Sequence, residues 1–337
     1  MDRHSSLAHA AYHDLLTSLK DEQAAAIRGT PRLEQRGNHA YWYDMHRVGT
    51  SVRKTYIGEN TPEIADRVAR HKALATQRSH RDAERLRLIR VLRAEGLQPI
   101  DAGTGSLLNA LAQAGSFRLG ATIVGTNAFR MYEGELGLRF RQTDLMQTGD
   151  LDIAQFERLS LALGDSVDPP LQDSFKALDF TPAPTLDAKA VWRWRQTRSN
   201  TLIEFLTPSF RPDEDIRDLP ALGVSAQSLH FLNYLIADPI KAAALYRSGI
   251  LVQIPRPERF AIHKLIIADR RRTGPDALKS RKDRAQAAFL IKALTEDRPD
   301  ELREAYLDAQ SRGQSWRDHL AASLKRLPQT AALLQAL

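Results

Sequence analysis

The chain has 337 residues, 42% of them apolar and 26% charged, values that exclude a disordered chain and imply a folded protein of two or three domains with a sizeable core. No cysteine is present, which excludes disulfide staples, thiolate zinc sites and cysteine nucleophiles. With 48 basic against 41 acidic residues the net charge is +7, and the surface is biased toward polyanions such as nucleotides or nucleic acid.

The first residues lack a signal-peptide apolar region, and no run is long enough to cross a bilayer, so a cytoplasmic protein without a membrane partner is expected. Residues 6–28 carry Leu15, Leu16 and Leu19 on one side of a predicted helix that ends before Gly29 and Pro31. Residues 37–58 hold Tyr41-Trp42-Tyr43, a turn at 48–51 and Lys54-Thr-Tyr-Ile-Gly58, which predict a small antiparallel sheet. Along it, aromatic residues are interleaved with Arg47, Arg53 and Lys54. That pattern suits either a closed aromatic sheet or base stacking beside phosphate contacts. Thr61, Pro62 and Glu63 read as the start of a long charged helix reaching about Glu95, a solvated face laced by pairs such as Glu84 and Arg87 or else a polyanion face. The Gly-x-Gly at 103–105 lacks the rest of a dinucleotide fingerprint and is read as a loop capping a core helix.

The segment from 118 to 154 is the most informative. Residues 118–124 read as a strand that breaks at Gly125-Thr126 and leads into a helix beginning near Asn127. Backbone N–H groups at such a helix start, with the positive end of the dipole, receive phosphate oxygens. Gly125, Thr126 and Asn127 are therefore candidate nucleotide-binding residues, with an ordinary turn and N-cap as the alternative. Asp150 and Asp152 then stand two apart in a short strand and share one face. Two carboxylates so placed raise one another's pKa unless a cation lies between them, and hard oxygen donors favour Mg²⁺ or Mn²⁺.

Helices are expected at 153–163 and 171–178, followed by a hairpin of residues 191–197 and 201–208 around Arg198–Asn200. Trp192 and Trp194 share a strand face, in the core or against bases. Glu204 lies among Leu202, Ile203, Phe205 and Leu206, so it needs a partner: a nearby arginine, or a metal shared with Asp150 and Asp152. Residues 259–272 form a predicted helix with Ile262, Leu265 and Ile266 on one face, leaving Lys264 and Arg270–Arg272 for phosphate or solvent and His263 for the core boundary. From about 276 the chain reads as a helical bundle.

Assembled, Asp150, Asp152 and Glu204 would be catalytic and metal-binding, and Gly125, Thr126, Asn127 and Lys264 would hold a nucleoside triphosphate. That constellation fits metal-assisted nucleotidyl transfer. The stretches VGTNAFRMYEGELGLRF, TGDLDIA, IEFLTP and PERFAIHKLIIADRR resemble nucleotidyltransferase-fold proteins of the DNA polymerase β superfamily, in a bacterial branch distantly similar to abortive-infection nucleotidyltransferase toxins. The resemblance covers roughly residues 100–295. It implies an α+β fold with a mixed sheet flanked by helices, a Gly-Ser or Gly-Thr turn for the triphosphate, and Asp-x-Asp plus a third acidic residue for metal. Thr126 replaces the usual Ser and Glu204 the frequent Asp, with the same oxygen chemistry.

Three units are expected: 1–100 with a helix, a small sheet and a long helix; 101–255 as the catalytic core; and 256–337 as a helical domain. The function expected is transfer of an NMP group from an NTP, with Mg²⁺ or Mn²⁺, to an acceptor that is RNA, protein or a small molecule. The alternatives are an inactive nucleic-acid-binding module contacting its ligand through the basic surface, and a toxin with an antitoxin partner.

Overall fold

The computed structural model describes residues 1–25, 27, 29–48, 51–140, 145, 148–184, 190–197, 201–273 and 277–337, with the backbone alone at 25, 46–48, 51 and 53. The turns expected at 48–51, 198–200 and 273–275 fall wholly or partly outside these residues, as do the side chains of Arg47 and Arg53. The fold is α+β. Helix α1 (Ser6–Ala25) precedes an antiparallel sheet of β1 (Thr30–Arg36), β2 (His39–Val48) and β3 (Ser51–Glu59); β2 and β3 fall where the small sheet is expected, and β1 extends it before residue 37. Thr61 caps the next helix by accepting from the Ile64 N–H, with Pro62 in its first turn. The single long helix expected to Glu95 is instead two, α2 (Pro62–Thr76) and α3 (Arg78–Ala94), parted at Gln77, where ψ opens to 8°. An unbroken helix over that span would be about 50 Å long. The break lets both pieces lie on α1. The charged run is not wholly solvated either, because Arg85 is buried and donates to Ser18 and to Glu22 of α1.

Helix α4 (Ala102–Gln113) corrects the expected glycine loop, since both glycines lie inside it. Asp101 caps it, accepting from the Thr104 N–H at 2.9 Å, and Gly105 is required because a Cβ there would enter the Tyr246 ring.

The main sheet is mixed. It contains β4 (Thr122–Val124), β5 (Asp150–Ala154), β6 (Phe180–Pro182), β7 (Arg193–Gln196), β8 (Leu202–Ser209), β9 (Ile216–Leu219) and β10 (Val224–His230). Strand β5 lies between antiparallel β4 and parallel β8. The first half of β8 also pairs antiparallel with β7, giving the expected hairpin, and its second half pairs parallel with β10. Two expected boundaries move. The 118–124 strand shortens to β4 because the chain is still turning through Gly115 and Gly120, both at positive φ. Ile153 belongs to β5, and the helix expected from it, α6 (Glu157–Ala162), starts four residues later. Helix α5 (Gly125–Leu136) leaves β4 directly, and α7 (Leu171–Ala177) precedes β6.

Beyond a short helix α8 (Leu232–Leu235) and a hairpin of β11 (Ile240–Ala244) and β12 (Ile250–Ile254) come α9 (Pro257–Arg270), α10 (Ala277–Asp297), α11 (Pro299–Ser311), α12 (Gln314–Leu324) and α13 (Pro328–Gln335), the expected bundle. Helix α9 is its axis, packed by α10, α11 and α12, with Phe260, Ile262, Leu265 and Ile266 fully buried. A helix apolar on several sides belongs inside. On the sheet, Trp194 settles its two readings by entering the core, 5.0 Å from Phe175 and 5.4 Å from Phe205 between ring centres. No helix among the described residues is long and apolar enough to cross a membrane.

The N-terminal elements are docked on the core through α1. Tyr12 is buried, its hydroxyl accepts from the Ala243 N–H of β11 at 3.2 Å, and its ring lies against Gly134 of α5. A Cβ at Gly134 would collide with that ring. Replacing a mid-helix glycine by alanine ordinarily gains up to about 1 kcal/mol in helix propensity, whereas overpacking costs about 1–3 kcal/mol. Gly134→Ala is therefore expected to lower stability in chemical denaturation, and Gly134→Ala combined with Tyr12→Leu to lose less than the sum of the two single changes.

Candidate active site

Three carboxylates share one face of the main sheet because the strand register puts them there. In β5, Asp150 and Asp152 are two residues apart, while Leu151 and Ile153 point into the core. Asp152 registers with Glu204 on parallel β8, and Glu204 registers with Arg193 on β7. The alternating apolar residues Ile203 and Phe205 hold β8 down on the opposite face. On the other side of β5, Val124 registers with Asp152, so α5 starts directly beside that carboxylate.

Gly125 is the hinge of this approach. Its φ is +65°, and a Cβ would collide with Asp152 Oδ2. Only glycine both adopts that conformation and leaves the space. Asn127, in the first turn of the helix, is buried and donates from Nδ2 to the Asp150 carbonyl at 2.8 Å, while its Oδ1 has no partner among the described residues. It ties the helix start to the strand of the two aspartates. Thr126 is half-buried beside it.

The electrostatics follow from burial first and crowding second. Burial, then Glu204, then Asp150 push the Asp152 carboxyl up to about 7, with Lys264 and Arg271 opposing them. Glu204 is held in this structure by Arg193, Nη2 to Oε1 at 2.6 Å, the first of its two expected partners. Arg193 also lies 4.2 Å over the Trp192 ring. Among the described residues no three His, Asp or Glu side chains are drawn together closely enough to hold a metal ion.

Lys264 is not solvated. It is buried on α9 and paired at 2.5 Å with Asp283 of α10, which also accepts from Arg271 at 3.0 Å. Burial works to raise the Asp283 pKa, but Lys264 and Arg271 hold it below the usual carboxylate range. Burial pushes His263 down to about 3, with Lys264 adding to it, so this imidazole is neutral. Of the other arginines left for phosphate or solvent, Arg270 pairs with Glu214 and Arg272 with Asp269.

Lys282, next to Asp283, also faces this cluster: burial and Lys264 lower its pKa, while Asp283 and Asp150 oppose the shift. The sequence reading missed Lys282, Asp283 and the specific role of Arg193. A signal existed for Asp283, which stands four, seven, eight and eleven residues before buried Ala287, Leu290, Ile291 and Leu294, on the apolar stripe of α10. A carboxylate on that stripe demands a buried cation. The structure thus brings Gly125, Thr126, Asn127, Asp150, Asp152 and Glu204 together on one side of the sheet, with Lys264 near them in a cation cluster.

An acid whose native pKa is raised keeps its proton while the unfolded chain loses it, so stability falls as pH rises from about 4 through about 7. Asp152→Asn removes this penalty. The variant is expected to match the parent near pH 3.5 and to exceed it by a few kcal/mol at pH 8, read by denaturant melts of both proteins at the two pH values without divalent cation. Equal stability at pH 8 would remove the crowding described above.

A family model described as Nucleotidyltransferase matches residues 102–311, a span that contains every candidate residue named above. No curated protein matches the chain. Among solved structures, an antigenic nucleotidyltransferase-like protein from Paracoccidioides brasiliensis is similar at 14% identity, covering 71% of this chain and 95% of that one with a TM-score of 0.33, too distant to add to the family match. With its matched span covering well over half of its length, this chain belongs to the nucleotidyltransferase family.

Proposed function

We propose that the chain transfers an NMP group from a nucleoside triphosphate to an acceptor nucleophile, releasing pyrophosphate, at the edge of the sheet where Gly125 meets Asp152. The observation that carries the reading is this juxtaposition: a helix start brought against paired carboxylates by a glycine that no other residue can replace, with the buried Lys264 nearby. Anionic oxygens at a helix start are favoured by its free N–H groups and dipole. Gly125, Thr126 and the first turn of α5 would hold the β- and γ-phosphates, and Lys264, Arg271 and Lys282 would offset their charge.

The donor set suits a hard divalent cation. Asp150, Asp152 and Glu204 offer oxygens only, and burial with the neighbouring Glu204 and Asp150 raises the Asp152 pKa, a penalty that a bound cation would relieve. Asp150 and Asp152 would hold two Mg²⁺ or Mn²⁺ ions, with Glu204 completing the set after turning from Arg193. When bound, the metal would supply Lewis-acid stabilisation of the phosphoryl oxygens. The acceptor oxygen bonds to the α-phosphorus as the bond to the bridging pyrophosphate oxygen breaks, and Glu204 takes the acceptor's proton. Asn127 keeps the Asp150 backbone in place throughout.

Pyrophosphate release and transfer of label from α-labelled NTPs, each NTP tested separately with Mg²⁺ or Mn²⁺, measure the reaction. Asp150→Ala and Asp152→Ala are each expected to lower turnover by about 10²-fold or more, given the several kcal/mol that metal-assisted charge stabilisation contributes. Turnover undiminished in both variants would show that the chemistry lies elsewhere on the molecule.

A further inference from the structure

The N-terminal 101 residues lie outside the family match and carry a surface that the proposed transfer does not use. Residues 1–100 hold 17 Lys and Arg against 12 Asp and Glu, which is +5 of the chain's +7. Their three-stranded sheet packs on one face only. On that face Pro31, Asp44 and Gly58 are buried, and Gly58 lies against Ile64 of α2. The register puts Tyr41 and Tyr43 of β2 and Tyr56 of β3 together on the opposite face, toward solvent.

Tyr56 is 56% exposed, and its ring centre is 6.1 Å from Tyr41 and 5.7 Å from Tyr43. Arg32 registers with Tyr43, and Arg36 lies 5.5 Å from the centre of the Tyr43 ring. Lys54 sits 4.0 Å over the same ring while pairing with Glu34, and His39 pairs with Glu59. The two glutamates on this face are thus matched, and Arg32 and Arg36 are exposed without an ion pair among the described residues. One exposed and two half-buried tyrosine rings adjoining on a solvent face, bordered by exposed guanidinium groups, are costly to maintain for packing alone.

We infer that this tyrosine face binds single-stranded nucleic acid, with unstacked bases lying on Tyr41, Tyr43 and Tyr56 and phosphates reaching Arg32 and Arg36. Aromatic rings accept any base on their π-face, and the flanking guanidinium groups match the backbone's charge. A duplex keeps its bases stacked on one another, so the face selects single strands. The inference stands apart from the transfer chemistry, since none of its residues belongs to the candidate active site.

Fluorescence anisotropy with a labelled 20-nucleotide U-rich RNA, its DNA counterpart of thymidines, and a 20-base-pair duplex tests it. The full chain is expected to bind both single strands more tightly than the duplex, the RNA and DNA arms showing whether the sugar is read. Tyr43→Ala and Tyr56→Ala should each weaken binding by about 10-fold, within the range for loss of one stacked base. Tyr56→Phe should bind as the parent does, because the ring is kept. Arg32→Ala with Arg36→Ala should flatten the dependence of log affinity on log salt by about 0.7 per lost phosphate contact. Asp150→Ala should leave binding unchanged. The inference is overturned if the parent binds neither strand at low salt, if duplex binds as well as single strand, if both alanine variants of the tyrosines bind normally while melting like the parent, or if Asp150→Ala abolishes binding.

Discussion

The burial of Asp152 beside Asp150 and Glu204 is the constraint around which the rest of the core is arranged. Strand pairing creates it, since parallel β5 and β8 register Asp152 with Glu204 and the two-residue period adds Asp150 to the same face. The opposite face tolerates it. There Leu151, Ile153, Ile203 and Phe205 are buried, backed by Phe175 and Trp194. Each such side chain contributes roughly 1.5–3 kcal/mol on full burial, so the apolar side of two short strands can offset a few kcal/mol for a buried, crowded carboxylate on the other. A sheet with one dry face can thus display a strained polar one without coming apart.

The cations are placed by a different part of the chain. Lys264 on α9 and Arg271 just beyond its end both meet Asp283 on α10, so a single buried carboxylate positions two positive charges and joins two helices. Buried pairs of this kind contribute little net stability, yet removing one partner costs about 3–5 kcal/mol because the other charge is stranded. Their value lies in position. Both Lys264 and Arg271 act to lower the Asp152 pKa across the gap between bundle and sheet, so the two halves of the core already interact electrostatically. In the proposed reaction those charges are fixed before substrate arrives, the condition under which electrostatic stabilisation is most effective.

Much of this was legible in the sequence where local rules govern. Asp150-x-Asp152, the strand-to-helix turn at Gly125, the hairpin of β7 and β8 and the helical tail all follow from periodicity and turn chemistry over a few residues. What escaped depends on tertiary contact. Helix α4 runs through two glycines because Tyr246 occupies the space of a Cβ at Gly105, and α2 and α3 part at Gln77 because both must lie on α1. Glu204 was readable as a carboxylate in need of a partner, but the choice of Arg193 depends on register. The sequence marks Asn127 as a nucleotide contact, whereas its hold on the Asp150 carbonyl is set by how α5 leaves β4. Lys264 shows the same limit from the other side: its helix was read as having one apolar face, whereas α9 is packed by three helices and its lysine finds Asp283, nineteen residues on.

Helix α5 connects these features physically. Its first residue touches Asp152, and nine residues later Gly134 receives the ring of Tyr12, a separation of about 14 Å at the helical rise. Tyr12 in turn belongs to α1, on which α2 and α3 pack, and α2 carries the small sheet through Ile64 against Gly58. Each step in this series is a close approach through a glycine or a packed helix pair, and none is a free linker. The N-terminal sheet is therefore held in a set position relative to the carboxylates. Glycine is what makes both ends of the series possible: at Gly125 the missing side chain admits a carboxylate, and at Gly134 it admits an aromatic ring that seats the N-terminal elements on the core.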